Sequence, residues 1–206
     1  MAPGNLGLTS VKSRVRVVGM RTPLPDDVEA IDTTSHSHGL WKQLSPFFLG
    51  PCKLWGGHVA ENVENAWQYS KAYDPQHFTN GKFDRAKWLA WASEGWKARR
   101  AHRYPMGRGA APAFSVWGDE TYFYTEARAR IYVPLYARAV RRTEAFRNLQ
   151  TMYRDGDTIY LRDFDGYDRE EDGSSLIQVM TNPRKKMGHA FVLAMMLEWG
   201  EFFWRR

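Results

Sequence analysis

Hydrophobic positions alternate with basic ones near the start of the chain, in "VKSRVRVVGM" at residues 11 to 20. A period of two is typical of a half-buried β-strand. Residues 21 to 46 show little periodicity and several Pro and Gly residues, so they predict mostly loop. The next segment, "PFFLGPCKLWGG" at 46 to 57, is apolar but interrupted by Pro and Gly. It predicts short extended pieces joined by turns.

Helical spacing dominates the remainder of the chain. The predicted elements, in chain order, are a helix from about Glu61 to Tyr73 that ends before Asp74-Pro75, a helix over 83 to 104, helical structure over 119 to 153 that Pro134 kinks or divides, a short buried strand over 157 to 164, and a helix from about Lys186. The last helix is apolar nearly all round, and such helices are usually central.

This pattern predicts an α+β fold, predominantly α-helical, with a few short strands. Residues 1 to 206 contain no repeat, low-complexity tract or linker, and this length is enough for one sizeable core. We therefore expect a single domain, with its main body over about 44 to 200 and a strand and loop extension over 1 to 43.

Composition narrows the classes of function. The net charge is +6 and the pI about 9.5, which favours polyanionic partners, although many proteins are mildly basic without a specific reason. Nine Trp, ten Tyr and eleven Phe can build a core or stack against bases and sugars. The common P-loop, GxSxG, HExxH and GxGxxG motifs are absent, which excludes the commoner nucleotide-binding and hydrolase machineries.

Cysteine usage and the N-terminus indicate a cytoplasmic, intracellular protein. Cys52 is the only cysteine, so an internal disulfide and a cysteine zinc site are excluded, and a reducing compartment is the natural interpretation. "MAPGNLGLTS" lacks the charged start and apolar run of a secretion signal. No stretch approaches the roughly 20 apolar residues of a membrane span.

Three polar residues share one face of the predicted helix at 61 to 73. Glu64, Gln68 and Lys71 are spaced i, i+4 and i+7, so they fall within about 60° of one another around the axis. Periodicity favours a face that is simply solvated. Alternatively, the aromatic and turn-rich segment before the helix forms a pocket in which Glu64 and Lys71 couple proton transfer to nucleophilic attack.

Two further clusters carry possible chemistry. "WKARRAHRYPMGRG" contains Arg99, Arg103 and Arg108 before a Gly-rich turn, which suits phosphate binding as well as a solvated helix end. "RDFDGYD" places Asp163 and Asp165 directly after the predicted strand, where carboxylates can make a turn, bind a hard cation or orient a sugar hydroxyl. The pattern favours the turn, with a catalytic carboxylate as the second interpretation.

The six histidines do not have metal-site spacing. His189 lies inside an apolar helix, so we expect a satisfied core histidine. We therefore expect no metal and no cofactor.

A chain of short motifs resembles the NADAR superfamily, the YbiA-like N-glycosidases, over roughly residues 44 to 200. The motifs are Ser45-Pro46-Phe47-Phe48, Trp55-Gly56-Gly57, "ENAWQYSK" from Glu64 to Lys71, Met106-Gly107-Arg108, and Lys186-Met187-Gly188-His189. A further segment, "ARARIYVPLY" at 127 to 136, resembles a related group of uncharacterised bacterial proteins. The E…Q…K spacing matches the family residue for residue. The sequence departs from the pattern at Pro46, where the family has Asn, at Asn65, where it has His, and in the loop "DFDGYDREEDG".

The resemblance implies cleavage of the N-glycosidic bond of a ribosylated or ADP-ribosylated base. Lys71 would be the nucleophile that forms a Schiff base with the ribose, Glu64 the general acid and base, and Asp163 a catalytic carboxylate. Substrate contacts would come from Phe48, Trp55, Gly57, Gln68, Arg99, Arg103, Arg108 and Asp165, with Trp67 in the apolar wall and Trp117 as a second stacking candidate. The substrate would be a nucleotide or nucleic-acid adduct, and the alternatives are a nucleic-acid-binding module or a structural protein without the reaction.

Overall fold

The computed structural model describes residues 13–205, which fold as one domain of mixed helix and strand, 40% helical and 14% strand. The strands are β1 (Val15–Val18), β2 (Ile31–Asp32), β3 (Cys52–Lys53), β4 (Val59–Ala60), β5 (Lys71–Ala72), β6 (Phe78–Thr79), β7 (Lys82–Phe83), β8 (Phe114–Trp117), β9 (Glu120–Tyr122) and β10 (Ile159–Arg162). The α-helices are α1 (Val63–Gln68), α2 (Arg85–Lys97), α3 (Tyr124–Ala127), α4 (Val133–Val140), α5 (Glu144–Asp155), α6 (Leu176–Thr181) and α7 (His189–Trp199). The mixed class and the excess of helix are confirmed.

The sheet that positions the site has the strand order β1-β10-β2, and both pairings are parallel. Val17 pairs with Leu161, which also pairs with Ile31 on the other side. The predicted strands over 11 to 20 and 157 to 164 are confirmed at β1 and β10, although residues 11 and 12 lie outside the described part of the chain. The segment expected as an N-terminal extension contributes two of the three strands of this sheet.

The core is built around α7, whose residues His189 to Leu197 are all buried. The helix packs against β1 and α4 and closes one side of the sheet. It begins at His189 rather than at about Lys186, because Gly188 is extended and acts as the N-terminal cap. The prediction of a central apolar helix is confirmed.

The first predicted helix is shorter than its periodicity indicated. α1 ends at Gln68, and the chain then pairs with β8 through Lys71 and Ser115. The N–H of Val116 donates to the carbonyl oxygen of Ser70 at 2.7 Å, which fixes the change from helix to strand. The prediction of a helix to Tyr73 is wrong, because strand pairing within the fold overrides a local helical pattern.

The other predicted helices also end early or divide. α2 stops at Lys97 instead of continuing to 104, and 119 to 153 contains β9, a five-residue π-helical turn at Arg128–Tyr132 and a break before α5. Pro134 lies in the first turn of α4, where a missing N–H is tolerated. None of the described helices is long and apolar enough to cross a membrane.

Candidate functional site

A cavity of about 190 Å³ lies where the parallel strands β2 and β10 end. Thr34 follows β2, Asp163 follows β10, and both line the cavity. α1 forms its floor, and Gly188 and His189 at the start of α7 close another side. Ligands of open α/β sheets commonly bind beyond the carboxyl ends of the strands, and this cavity has that placement.

Glu64, Gln68 and Lys71 line the cavity and form a continuous hydrogen-bonded chain. The Gln68 amide nitrogen donates to Glu64 Oε1 at 2.9 Å, and Lys71 Nζ donates to Gln68 Oε1 at 2.7 Å. The three side chains therefore contact one another, although Lys71 lies in β5 and not in α1. A face simply exposed to solvent is ruled out, because Glu64 and Gln68 are buried and Lys71 is partly buried.

Burial drives both ionisable members of the triplet toward their neutral forms. Desolvation raises the pKa of Glu64, against the opposing effects of the Gln68 hydrogen bond and the charge of Lys71. Desolvation lowers the pKa of Lys71 to about 8, although the charge of Glu64 acts in the opposite direction. Lys71 Nζ also lies 4.7 Å from the ring centroid of Trp67, which supplies part of the apolar wall.

Asp163 is held rigidly at the carboxyl end of β10. Its Oδ2 accepts from the N–H of Ala190 at 3.0 Å and lies 3.2 Å from His189 Nδ1. A Cβ on Gly188 would lie 2.1 Å from the same oxygen, so this carboxylate fits against α7 only because position 188 is glycine. The buried carboxylate therefore has one permitted position.

His189 is a second buried group that lines the cavity. Its Nε2 lies 2.7 Å from the carbonyl oxygen of Thr33, which can only accept, so Nε2 donates. The ring is consequently held between a carbonyl and the Asp163 carboxylate. The expected satisfied core histidine is confirmed in its hydrogen bonding, but its position facing the cavity was not predicted.

The π-helical turn contributes two more side chains to the cavity, and α3, the helix before it, contributes a third. Tyr124, Arg128 and Tyr132 all line it, and none was predicted. Arg128 is 2% exposed and donates to the Asn182 carbonyl at 2.9 Å and the Tyr124 hydroxyl at 2.6 Å. Among the described residues it has no carboxylate partner, so no acidic side chain offsets its charge. π-turns of this kind are frequent at functional sites.

The predicted substrate contacts divide into two groups. Gln68, Arg103 and Asp165 line the cavity, and Arg103 Nη2 lies 3.6 Å from Asp165 Oδ2. The other predicted contacts do not line it: Phe48, Trp55, Gly57, Arg99 and Arg108.

The positions of these outlying residues have physical reasons. Trp55 packs in an aromatic cluster with Trp88 and Trp96 instead of facing the cavity. Phe48 faces a different cavity, and Arg108 lies over the ring of Tyr104 at 5.7 Å, near the cavity rim. Trp117, the second stacking candidate, also lies away from the cavity.

Asn65 holds the arginine-rich segment, residues 98 to 102, next to the cavity through side-chain hydrogen bonds. Its side-chain nitrogen donates to the carbonyls of Ala98 and Arg100 at 2.8 and 3.0 Å, and its oxygen accepts from the N–H of His102 at 2.8 Å. Asn65 is completely buried. These bonds keep residues 98 to 102 out of a helix and thereby position Arg103.

Positive charge exceeds negative charge around the cavity. The lining contains the cations Lys71, Arg103, Arg128 and Lys186 and the acids Glu64, Asp163 and Asp165. Within residues 13–205, no group of His, Cys, Asp and Glu side chains has the arrangement of a metal site. The arrangement therefore suits an anionic organic ligand, with an acid and an amine at its floor.

Together, the fold and cavity define a single-domain α+β protein with a buried acid–amine pair at the carboxyl ends of a small parallel sheet. Residues 12–190 match the family described as a family of unknown function, DUF6939, and the chain belongs to that family. The matched region contains every cavity residue named above. No curated protein and no solved structure matches the chain.

Proposed function

We propose that the cavity cleaves the N-glycosidic bond of a ribosylated or ADP-ribosylated base. The observation that carries this proposal is that Lys71 and Glu64 line one cavity and are joined by Gln68. Burial lowers the pKa of Lys71 and raises that of Glu64, so it favours the neutral form of each group. A neutral amine is a nucleophile, and a protonated carboxyl group is a general acid. The resemblance to the NADAR superfamily at these residues supports the same chemistry and extends the proposal to the fold.

The reaction begins with attack by the lone pair of Lys71 Nζ on C1′ of the ribose. The bond between C1′ and the base nitrogen breaks, and Glu64 gives its proton to the departing base. The Glu64 carboxylate takes a proton from Nζ and passes it to the ring oxygen O4′ as the C1′–O4′ bond breaks, which leaves a protonated Schiff base. Glu64 then takes a proton from water as water adds to this carbon, and gives that proton to Nζ as the C1′–Nζ bond breaks. It regains a proton from the remaining hydroxyl as the aldehyde forms. The products are the free base and the sugar with its aldehyde carbon restored.

The remaining cavity residues suit the sugar and its phosphate. Asp163 is fixed by Ala190 and His189 and can accept hydrogen bonds from ribose hydroxyls. Arg103 can take a phosphate with two N–H groups. The terminal N–H groups of Arg128 already bond to protein oxygens, so Arg128 contributes its positive charge rather than a two-point contact. Tyr132 keeps its proton, because burial raises its pKa well above the usual value, so its hydroxyl can donate to the substrate.

The size of the cavity separates the sugar from the base. At about 190 Å³ it is smaller than the roughly 300 Å³ at which sites for drug-sized ligands begin. The sugar therefore enters, and the base stays at the rim. Tyr104 and Phe164 are exposed there, and Arg103 lies over their rings at 5.5 and 4.9 Å. These rings provide a stacking surface for the base.

The proposal is tested by release of free base from N-ribosyl and ADP-ribosyl nucleosides, followed by chromatography. Wild type should release base, and Lys71→Met and Glu64→Gln should each reduce the rate by at least about a hundredfold. Lys97→Met, which replaces an exposed lysine away from the cavity, is the matched control and should keep the full rate. Equal rates in wild type and Lys71→Met would overturn the proposal.

A further inference from the structure

A second cavity, of about 720 Å³, lies on the other side of the segment 42 to 49. One wall is formed by Leu135, Arg138 and Ala139 of α4 together with Arg142, which follows the helix. The opposite wall contains Lys42, Phe48 and Lys53. We call this cavity the basic groove.

Four cationic side chains line the basic groove, and no acidic side chain does: Lys42, Lys53, Arg138 and Arg142. All four are exposed, and none of them has a carboxylate within salt-bridge distance in the part of the chain from 13 to 205. Clustered like charges repel one another in the folded protein. An anionic ligand in the groove would relieve this repulsion.

The arrangement of the cations favours an extended polyanion over a single phosphate. They come from three separate parts of the chain: Lys42 before β3, Lys53 in β3, and two arginines four residues apart, Arg138 in α4 and Arg142 just after it. Phe48 lies among them, 48% exposed, with Lys42 Nζ 4.2 Å from its ring centroid. A positively charged groove with an exposed aromatic ring has the elements with which proteins hold single-stranded nucleic acid.

We propose that the basic groove binds a single strand of nucleic acid, with phosphates on the four cations and a base on Phe48. A concave groove suits a strand better than the flat surface of an anionic membrane. Binding here does not depend on the reaction proposed for the first cavity.

The two cavities are neighbours along the chain. Phe47 lines the first cavity, and Phe48, the next residue, lines the basic groove. The segment that contains these two residues therefore borders both cavities. If the proposed reaction is correct, the groove would present a modified base that belongs to a strand; this last step alone rests on the proposed function.

The test is fluorescence anisotropy of a labelled oligothymidylate with the whole protein, titrated at several salt concentrations. Four phosphate contacts to a single strand should give a slope of about −2.8 in log K against log salt, or roughly a 50-fold loss of affinity between about 50 and 200 mM. The groove variant K42Q/K53Q/R138Q/R142Q should lose most of this slope. The control variant K82Q/K87Q/K97Q/R154Q has the same net charge and keeps the groove, so its slope should stay near that of wild type.

Further binding measurements distinguish the possible ligands and isolate the contribution of the Phe48 ring. Phe48→Ala should weaken strand binding about tenfold with little change in the salt slope, because it removes stacking and no charge. A labelled duplex and vesicles of phosphatidylserine and phosphatidylcholine should bind less tightly than the strand.

The proposal is overturned if wild type does not bind the strand, if the groove and control variants lose affinity equally, or if duplex or vesicles bind more tightly than the strand. Melting followed by circular dichroism checks that each variant is folded. Release of base from a free nucleoside should be unchanged in the groove variant, so failure of this inference and failure of the proposed reaction are distinguishable.

Discussion

Lys71 Nζ donates to the side-chain oxygen of Gln68 at 2.7 Å across the boundary between α1 and β5. The orientation of the amide follows from this bond: its oxygen faces the amine and its nitrogen faces Glu64 at 2.9 Å. Gln68 thus sets the separation of the acid and the amine and stabilises the ionised form of Glu64. It acts as a positioning residue.

Removing this amide should shift the pH dependence of base release. The Gln68 hydrogen bond lowers the pKa of Glu64, so Gln68→Leu should raise that pKa further. In the proposed reaction Glu64 acts as an acid when protonated, so activity should fall as pH rises through its pKa, and this falling limb should move to higher pH. A pH profile of the release rate checks this, with Gln150→Leu, on α5, as the control. A profile of unchanged shape in Gln68→Leu would contradict the positioning role.

The buried amine of Lys71 should lower the free energy of unfolding, and replacing Lys71 with an apolar residue should restore it. The pKa of Lys71 is lowered from 10.5 to about 8, so between these values the unfolded chain binds more protons and the stability of wild type rises with pH. The destabilisation caused by charged Lys71 is therefore at its full value below about pH 8 and is lost above about pH 10.5.

Lys71→Met should accordingly raise the free energy of unfolding at neutral pH by about 1–3 kcal/mol, and the gain should shrink as pH passes 8 toward 10.5. Urea unfolding at several pH values measures this gain. Lys186→Met, at an exposed lysine of the same cavity, should change stability by less than about 0.5 kcal/mol. A destabilised Lys71→Met protein at neutral pH would show that the amine is not desolvated.

Gly188 should tolerate no side chain. A Cβ there would lie 2.1 Å from Asp163 Oδ2, so Gly188→Ala should displace the carboxylate from the N–H of Ala190. We expect a loss of about 1–3 kcal/mol of stability together with loss of base release. At Gly19 the nearest atom to an added Cβ is at 3.1 Å, so Gly19→Ala should be milder by thermal melting. Full activity in Gly188→Ala would mean that Asp163 is not needed where it lies.

Asn65 should hold the segment 98 to 102 in place. Asn65→Leu removes three hydrogen bonds to this segment and leaves buried backbone groups unpaired, at a cost of about 2–4 kcal/mol. Hydrogen exchange should accelerate at His102, whose N–H bonds to Asn65. Asn148→Leu, at an exposed site on α5, should leave this exchange unchanged. Continued protection of His102 in Asn65→Leu would contradict the role of Asn65.

The local sequence pattern predicts those elements whose structure depends on their own residues and not on contacts with distant segments. The alternation around Val17 and the apolar composition of α7 needed no knowledge of neighbours. The carboxylate of Asp163 could be placed because it directly follows a buried strand. The spacing of Glu64, Gln68 and Lys71 also singled out residues that meet, although the predicted reason, a shared helix face, is wrong for Lys71.

The remainder depends on contacts between distant segments. Lys71 leaves the helix because β8 offers a strand partner some forty residues later. Arg128 reaches the cavity because carbonyls of the segment after α6 hold its guanidinium. His189 faces the cavity because Thr33 and Asp163, from two different strand ends, fix its ring. The periodicity of the sequence does not predict such contacts between distant segments.

The most direct measurement of the central claim is borohydride trapping with ribose 5-phosphate or ADP-ribosylated guanosine, followed by peptide mapping. The reduced Schiff base should be found on Lys71, should increase as pH rises toward about 8, and should be absent in Lys71→Met but retained in Lys186→Met. An adduct on other lysines only, or equal trapping in wild type and Lys71→Met, would contradict the assignment of Lys71 as the nucleophile.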